Sequence, residues 1–223
     1  MGNKVIIIIL LILANFGFVF AEISIMPKPN NKYSINLSSG FGSYNIESLK
    51  SSLSQGLSNL PFPAKVVDNY PNMPYFGLDF CVRLQSMEFG LMYSFLSTGA
   101  KVHYADYSGN YTLNNIINSE QYGFIFKVFI FPQKLIKTQL LANFGISNLS
   151  VKYSETLKVF NESQTSNDKI VKENPFLEPG LRLFYDYNDI MIGLNATYFI
   201  LLQNDLNISF DGFRVGLFVG YGF

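Results

Sequence analysis

The sequence predicts an all-β protein: an antiparallel up-and-down transmembrane β-barrel of eight strands, with a short helix in its first long loop. Three observations carry this. The last twelve residues alternate, with Phe213, Val215, Leu217, Val219, Tyr221 and Phe223 on one face. The other face holds Gly212, Arg214, Gly216, Phe218, Gly220 and Gly222. A period of two means a strand with two unlike faces. Charged residues make up only 14% of the 223 residues and aromatics 16%, where soluble domains carry about a quarter charged. A chain so poor in charge shows much of its surface to something apolar. Finally, no apolar run long enough for a spanning helix, about 20 residues, follows the N-terminal segment. A closed barrel is the other way to cross lipid with every backbone group paired.

The elements follow in chain order. Residues 1–21 read as a secretory signal peptide: Lys4 gives the positive start, residues 5–14 are nearly pure apolar, and Val19-Phe20-Ala21 offers a cleavage site. Residues 22–223 then form one barrel domain. Eight alternating segments lie at about residues 32–43, 75–84, 87–98, 121–131, 137–148, 176–187, 190–202 and 208–223. Each is near the length that a tilted strand needs to cross a bilayer, about 9–11 residues, or somewhat longer.

Two hairpin registers test the pattern. A turn at Gln85-Ser86 sets Leu84 opposite Met87, Val82 opposite Phe89, Phe80 opposite Leu91, Leu78 opposite Tyr93 and Phe76 opposite Phe95. Those pairs are all apolar, and the opposite face pairs Arg83 with Glu88, Cys81 with Gly90 and Asp79 with Met92. Cross-strand neighbours share a face, so a wrong register would scramble the two sets. A turn at Asn188-Asp189 sorts residues 179–198 in the same way, pairing Leu183 with Leu194 outside and Arg182 with Asn195 inside. Residues 132–135 make a third short connection. Residues 44–74, 99–120 and 149–175 read as long polar loops, with a brief one at 203–207. Short turns alternating with longer loops place both termini on the side of the short turns.

The inward face then collects Asp79, Arg83, Glu88, Lys127, Glu178, Arg182 and Arg214. So many ionisable groups would be ruinous to desolvate in the core of a soluble barrel. In a membrane barrel the interior is polar and they can pair. An eight-stranded barrel is only wide enough to be filled by side chains, so the expected arrangement is a packed polar network that holds the barrel together. The alternative is a solute pathway. Within the first loop, Ile46, Leu49, Leu53, Leu57 and Leu60 have helical spacing before Pro61 and Pro63. That helix either packs its own leucines or folds over the barrel mouth.

Little else carries chemistry. One His and one Cys, Cys81, cannot make a zinc or iron site, so no metal or other cofactor is expected. A formal net charge of zero gives no electrostatic case for nucleic acid. His103 near Asp106 is the single candidate general base, with no serine persuasively placed against it. The Asn-x-Ser/Thr triplets read as chance in an Asn-rich chain.

The N-terminal segment, the eight strands and the terminal Tyr221-Gly222-Phe223 resemble the bacterial eight-stranded outer-membrane barrels of the OmpA/OmpX type. Residues 97–111, with Asp106-Tyr107-Ser108-Gly109-Asn110-Tyr111, are similar to small outer-membrane barrels of Bacteroidetes-type bacteria. The resemblance implies a monomer in the bacterial outer membrane, surrounded by its lipids including lipopolysaccharide. It also implies a C-terminal signal, Tyr221 and Phe223, read by the barrel-assembly machinery. A structural or surface-binding barrel without catalysis is the expected role. A narrow porin-like channel, a lipid-modifying enzyme using His103 and an accessory protein for secretion are the alternatives.

Overall fold

A computed structural model describes residues 32–130, 135–160, 162–202 and 210–223. The proposed signal peptide, the third short connection around 132–134 and the brief loop at 203–207 lie outside the described residues. The elements are β1 (Tyr33–Tyr44), α1 (Glu47–Ser58), β2 (Lys65–Asn69), β3 (Met73–Leu84), β4 (Met87–Ala105), β5 (Gly109–Phe129), β6 (Ile136–Val159), β7 (Glu162–Tyr187), β8 (Ile190–Leu201) and β9 (Gly212–Gly222). All neighbouring strands are antiparallel, and β1 pairs with both β3 and β9, while β4 pairs with β5. The sheet therefore closes into a ring of β1, β3, β4, β5, β6, β7, β8 and β9. Closure leaves no edge within the barrel wall, which is what a strand structure needs in lipid. At the seam, Phe223 N–H donates to the Tyr33 carbonyl at 3.0 Å.

Both hairpin registers expected from the sequence are present, from Phe76 opposite Phe95 to Leu84 opposite Met87, and from Leu181 opposite Ala196 to Tyr187 opposite Ile190. The turns hold Gln85, Asn188 and Asp189 at positive φ. Asn and Asp tolerate that conformation; Gln85 does not favour it and is held there by the ladder on either side.

Two expectations are corrected. Residues 99–120 and 149–175 are not loops. They are the distal halves of β4, β5, β6 and β7, which run 19 to 26 residues each. The wall therefore rises well past a bilayer on one side as two long hairpins. A ninth short strand, β2, also appears in residues 44–74 and pairs with β4 beyond the end of β3.

The reason for the missed strands lies in the polarity of the two faces. In the lower part of β4 the exposed outward residues are Phe89, Leu91, Tyr93 and Phe95. Above them the buried inward residues are Leu96, Ala100 and Val102, and the outward ones are Ser97, Lys101 and His103. The same inversion occurs in β6, where Phe144 and Ile146 face out but Leu149 and Val151 face in. The strand is inside-out where it meets lipid and right-side-out above it. The inversion marks the membrane boundary, close to the row of Phe95, Glu120, Asn148 and Glu173.

Helix α1 sits at this upper end. Ile46 and Leu49 are buried in one cluster with Tyr70, Met73, Leu96, Ile117, Leu149, Val151, Phe176 and Phe199, and Leu53 packs against it. The helix thus packs Leu49 and Leu53 into the barrel mouth, while Leu57 and Leu60 line a cavity of about 220 Å³ beside it. That is the lid arrangement, for which the apolar upper lumen supplies the driving force.

Close approach explains the glycine face of β9. A Cβ on Gly216 would run into the Tyr75 hydroxyl, and one on Gly220 into the Asn36 carboxamide. Both glycines make room for inward polar side chains. Gly216→Val is expected to lower the stability of the refolded barrel by about 1–3 kcal/mol through overpacking. A urea titration in micelles checks it, and an unchanged midpoint would show that both the Tyr75 side chain and the Ser39 backbone of β1 give way freely.

Candidate functional site: a sealed polar core

The residues that the sequence places inside all lie in the lumen, in two clusters. Asp79, Glu88, Lys127, Glu178, Arg182 and Arg214 are buried, and Arg83 is half-buried. The lower cluster centres on Asp79. It accepts from Lys127 at 2.5 Å, from Arg182 at 3.2 Å and from the Asn36 amide at 2.7 Å. Lys127 also lies 3.6 Å from Glu88, which in turn accepts from Arg83 Nε at 2.7 Å. Arg83 and Glu88 stand opposite each other in the β3–β4 ladder. The upper cluster centres on Glu178, which pairs with Arg214 at 3.2 Å and accepts from Thr197 at 2.6 Å and Asn143 at 3.0 Å. Arg214 donates further to Ser94 at 3.1 Å, to Gln121 at 2.8 Å and to the Tyr44 hydroxyl. Among the described residues, Glu178 and Arg182, four apart on one strand, share no partner: each belongs to a different cluster.

Every strand of the ring contributes a side chain to these clusters: Asn36 from β1, Asp79 from β3, Glu88 from β4, Lys127 from β5, Asn143 from β6, Glu178 from β7, Thr197 from β8 and Arg214 from β9. Such cross-lumen bonds oppose any slip of register. Neutral members such as Asn36, Ser94, Gln121, Asn143 and Thr197 were not singled out from the sequence. Their signal was there: each is a polar residue at an inward position of the alternation.

The polar core is sealed at both ends. Below it, Phe129, Phe184, Met191 and Phe218 form an apolar layer. The guanidinium of Arg182 lies 4.1 Å above the Phe218 ring and that of Arg83 lies 4.7 Å above Phe129. Above it, the Arg214 guanidinium lies 4.9 Å from Phe199, which belongs to the upper apolar cluster capped by α1. Between the ionic clusters the cavity lined by Asp79, Asn143, Glu178, Arg182 and Arg214 is about 30 Å³. That is space for one or two waters. The lumen is an apolar–ionic–apolar plug.

Beyond the membrane, His103 meets a threonine hydroxyl rather than a serine. Its Nδ1 lies 3.3 Å from the Thr112 hydroxyl. Asp106 instead builds the β4–β5 turn, accepting from the Ser108 amide at 2.8 Å, its hydroxyl at 2.7 Å, the Gly109 amide at 3.1 Å and the Tyr104 hydroxyl at 2.9 Å. The Ser108 hydroxyl, then the Ser108 amide, holds the Asp106 carboxyl below the usual range. The hydrogen bond to Asp106 raises the Tyr104 phenol. Burial, helped by Glu155, pushes Tyr111 up to about 12. Among the described residues no group of His, Cys, Asp and Glu is placed to hold a metal ion.

No protein-family model matches the chain, and no curated protein matches it. Solved structures with a similar outline include three bacterial proteins. The chain is 11% identical to neisserial surface protein A, with a TM-score of 0.46 over 86% of this chain and 97% of that one. It is 14% identical to Ail, the attachment invasion locus protein of Yersinia pestis, with a TM-score of 0.39 over 87% and 100%. It is also 14% identical to the N-terminal β-barrel domain of Pseudomonas aeruginosa OprF, with a TM-score of 0.36 over 87% and 100%. The fold itself rests on the strand pairings and the polarity of this chain: it is an antiparallel, up-and-down, eight-stranded membrane barrel with a plugged interior.

Proposed function

We propose that the protein is a non-conducting barrel of the bacterial outer membrane that serves as a rigid base for two surface-exposed hairpins. The observation that carries this is the sealed lumen: an ionic core with an apolar layer at each end. Ions would have to break buried pairs to pass, and an apolar layer dewets a narrow path. The hairpins of β4–β5 and β6–β7 stand above the membrane boundary, and residues 162–173 of β7 are exposed on both faces. A rigid wall holding exposed strands suits binding or scaffolding at the cell surface, with no catalysis. Tyr221 and Phe223, exposed on the outer face at the seam, suit recognition by the barrel-assembly machinery.

The test is electrical. Purified protein in planar bilayers is expected to give no channels above background. Steady single-channel conductance in proportion to inserted protein would replace this reading by the porin-like one.

A further inference from the structure

The outward face just above the membrane boundary carries a feature that the plugged core does not explain. Lys152 on β6 and Lys169 on β7 are directly opposite each other in the ladder. Both are exposed. Like charges directly opposite are destabilising in a sheet, and among the described residues neither lysine has a carboxylate within ion-pair distance. The two lysines border a cavity of about 240 Å³ together with Asn118, Glu120, Asn148, Ser150 and Val171. Two polar atoms of its lining, Ser150 Oγ and Asn148 Oδ1, are buried without a protein partner. A charged pair without counter-ions, a cavity and orphaned polar atoms coincide on one face.

Height decides which anion fits. The topmost wholly apolar row of this face is Tyr122, Ile146 and Pro175, and above it Val171 and Ile116 stand singly among polar neighbours. The next row outward is Glu120, Asn148 and Glu173, and the lysines lie two rows beyond that. At about 3.3 Å per residue and a tilt near 40°, the carboxylate row stands about 5 Å above the apolar edge and the lysine row about 15 Å. Phospholipid phosphates lie within about 6 Å of the hydrocarbon, level with the carboxylates, which repel them. An anion held at the lysine row is carried farther out.

We propose that this face binds a phosphate borne on the saccharide head of a surrounding glycolipid, of the lipopolysaccharide kind, with Lys152 and Lys169 on the phosphate and Ser150 and Asn148 on sugar hydroxyls. This rests on the outer-membrane reading above, but not on the closed lumen. Folded protein in zwitterionic micelles is titrated with short-chain lipopolysaccharide, and bound glycolipid is read by native mass spectrometry. The Lys152→Gln/Lys169→Gln variant is expected to bind about 30-fold more weakly, and enzymatically dephosphorylated glycolipid to weaken in parallel. Glu120→Gln is expected to bind about 5-fold tighter, a gain that a folding defect cannot produce. Equal affinity of wild type and the double lysine variant overturns the proposal, as does an unchanged or weaker Glu120→Gln. Competition by phosphatidylglycerol or by inorganic phosphate at the same concentration as glycolipid overturns the assignment to a sugar-borne phosphate. Channel measurements are silent on this site, so the two readings fail separately.

Discussion

Asp79→Asn is expected to destabilise the folded barrel by about 3–5 kcal/mol. Removing one member of a buried ionic cluster leaves the others charged and uncompensated, and that is the costly way to break such a cluster. Asp79 is the anion for both Lys127 and Arg182, and Lys127 is fully buried. Among the described residues, Glu88 is the one remaining carboxylate near Lys127, at 3.6 Å, and it is already engaged by Arg83. The measurement is a urea titration of refolded protein in micelles, followed by the electrophoretic shift between folded and unfolded forms. Asp79→Asn/Lys127→Met is expected to recover part of the loss, since it removes the orphaned cation along with its partner. A loss below about 1 kcal/mol in the single variant would show that water enters the lumen and solvates the cations. The sealed plug would then be wrong.

Leu217→Lys is expected to cost about 2–4 kcal/mol, although Leu217 is 64% exposed. In a water-facing strand, so exposed a position would tolerate lysine within about 0.5 kcal/mol. Leu217 lies mid-strand on β9, opposite Leu194 and Ser39, with Val215 and Val219 on the same face. Its surroundings are therefore hydrocarbon, and a cation there is desolvated. The control is Ile116→Lys, also outward and 44% exposed, but on the far side of the polarity inversion. It is expected to cost less than about 1 kcal/mol, a loss set by Lys152 opposite it in the ladder rather than by lipid. Stabilities measured in phospholipid vesicles compare the two, and equal costs at both sites would place the membrane boundary wrongly.

The barrel wall was readable because lipid imposes a strict rule on one face of each strand. Phe76, Leu78 and Phe80 against Phe95, Tyr93 and Leu91 fixed a register before any coordinates. The same rule hid the upper halves of β4 to β7. Above the boundary the outward face meets water and the inward face packs on α1, so the alternation continues with its phase reversed. Phe95-Leu96 is where the phase changes, and the two adjacent apolar residues are the visible trace of it. A reading that looks for outward grease ends there and assigns a loop.

By itself the sequence determined the strand period, two hairpin registers and which residues face inward, Asp79, Arg83, Glu88, Lys127, Glu178, Arg182 and Arg214 among them. Local alternation and turn chemistry suffice for that, because neighbouring strands are also neighbours in the chain. The Arg83–Glu88 pair follows from the hairpin register, but the partners of Asp79, Glu178, Arg182 and Arg214 were decided only by closing the ring. Asp79 meets Arg182 across 103 positions and Ser94 meets Arg214 across 120. These pairings depend on strand stagger and barrel diameter, which no single hairpin contains. The seal at both ends was decided the same way. It comes from apolar side chains that share a level of the lumen but lie on strands far apart in the sequence.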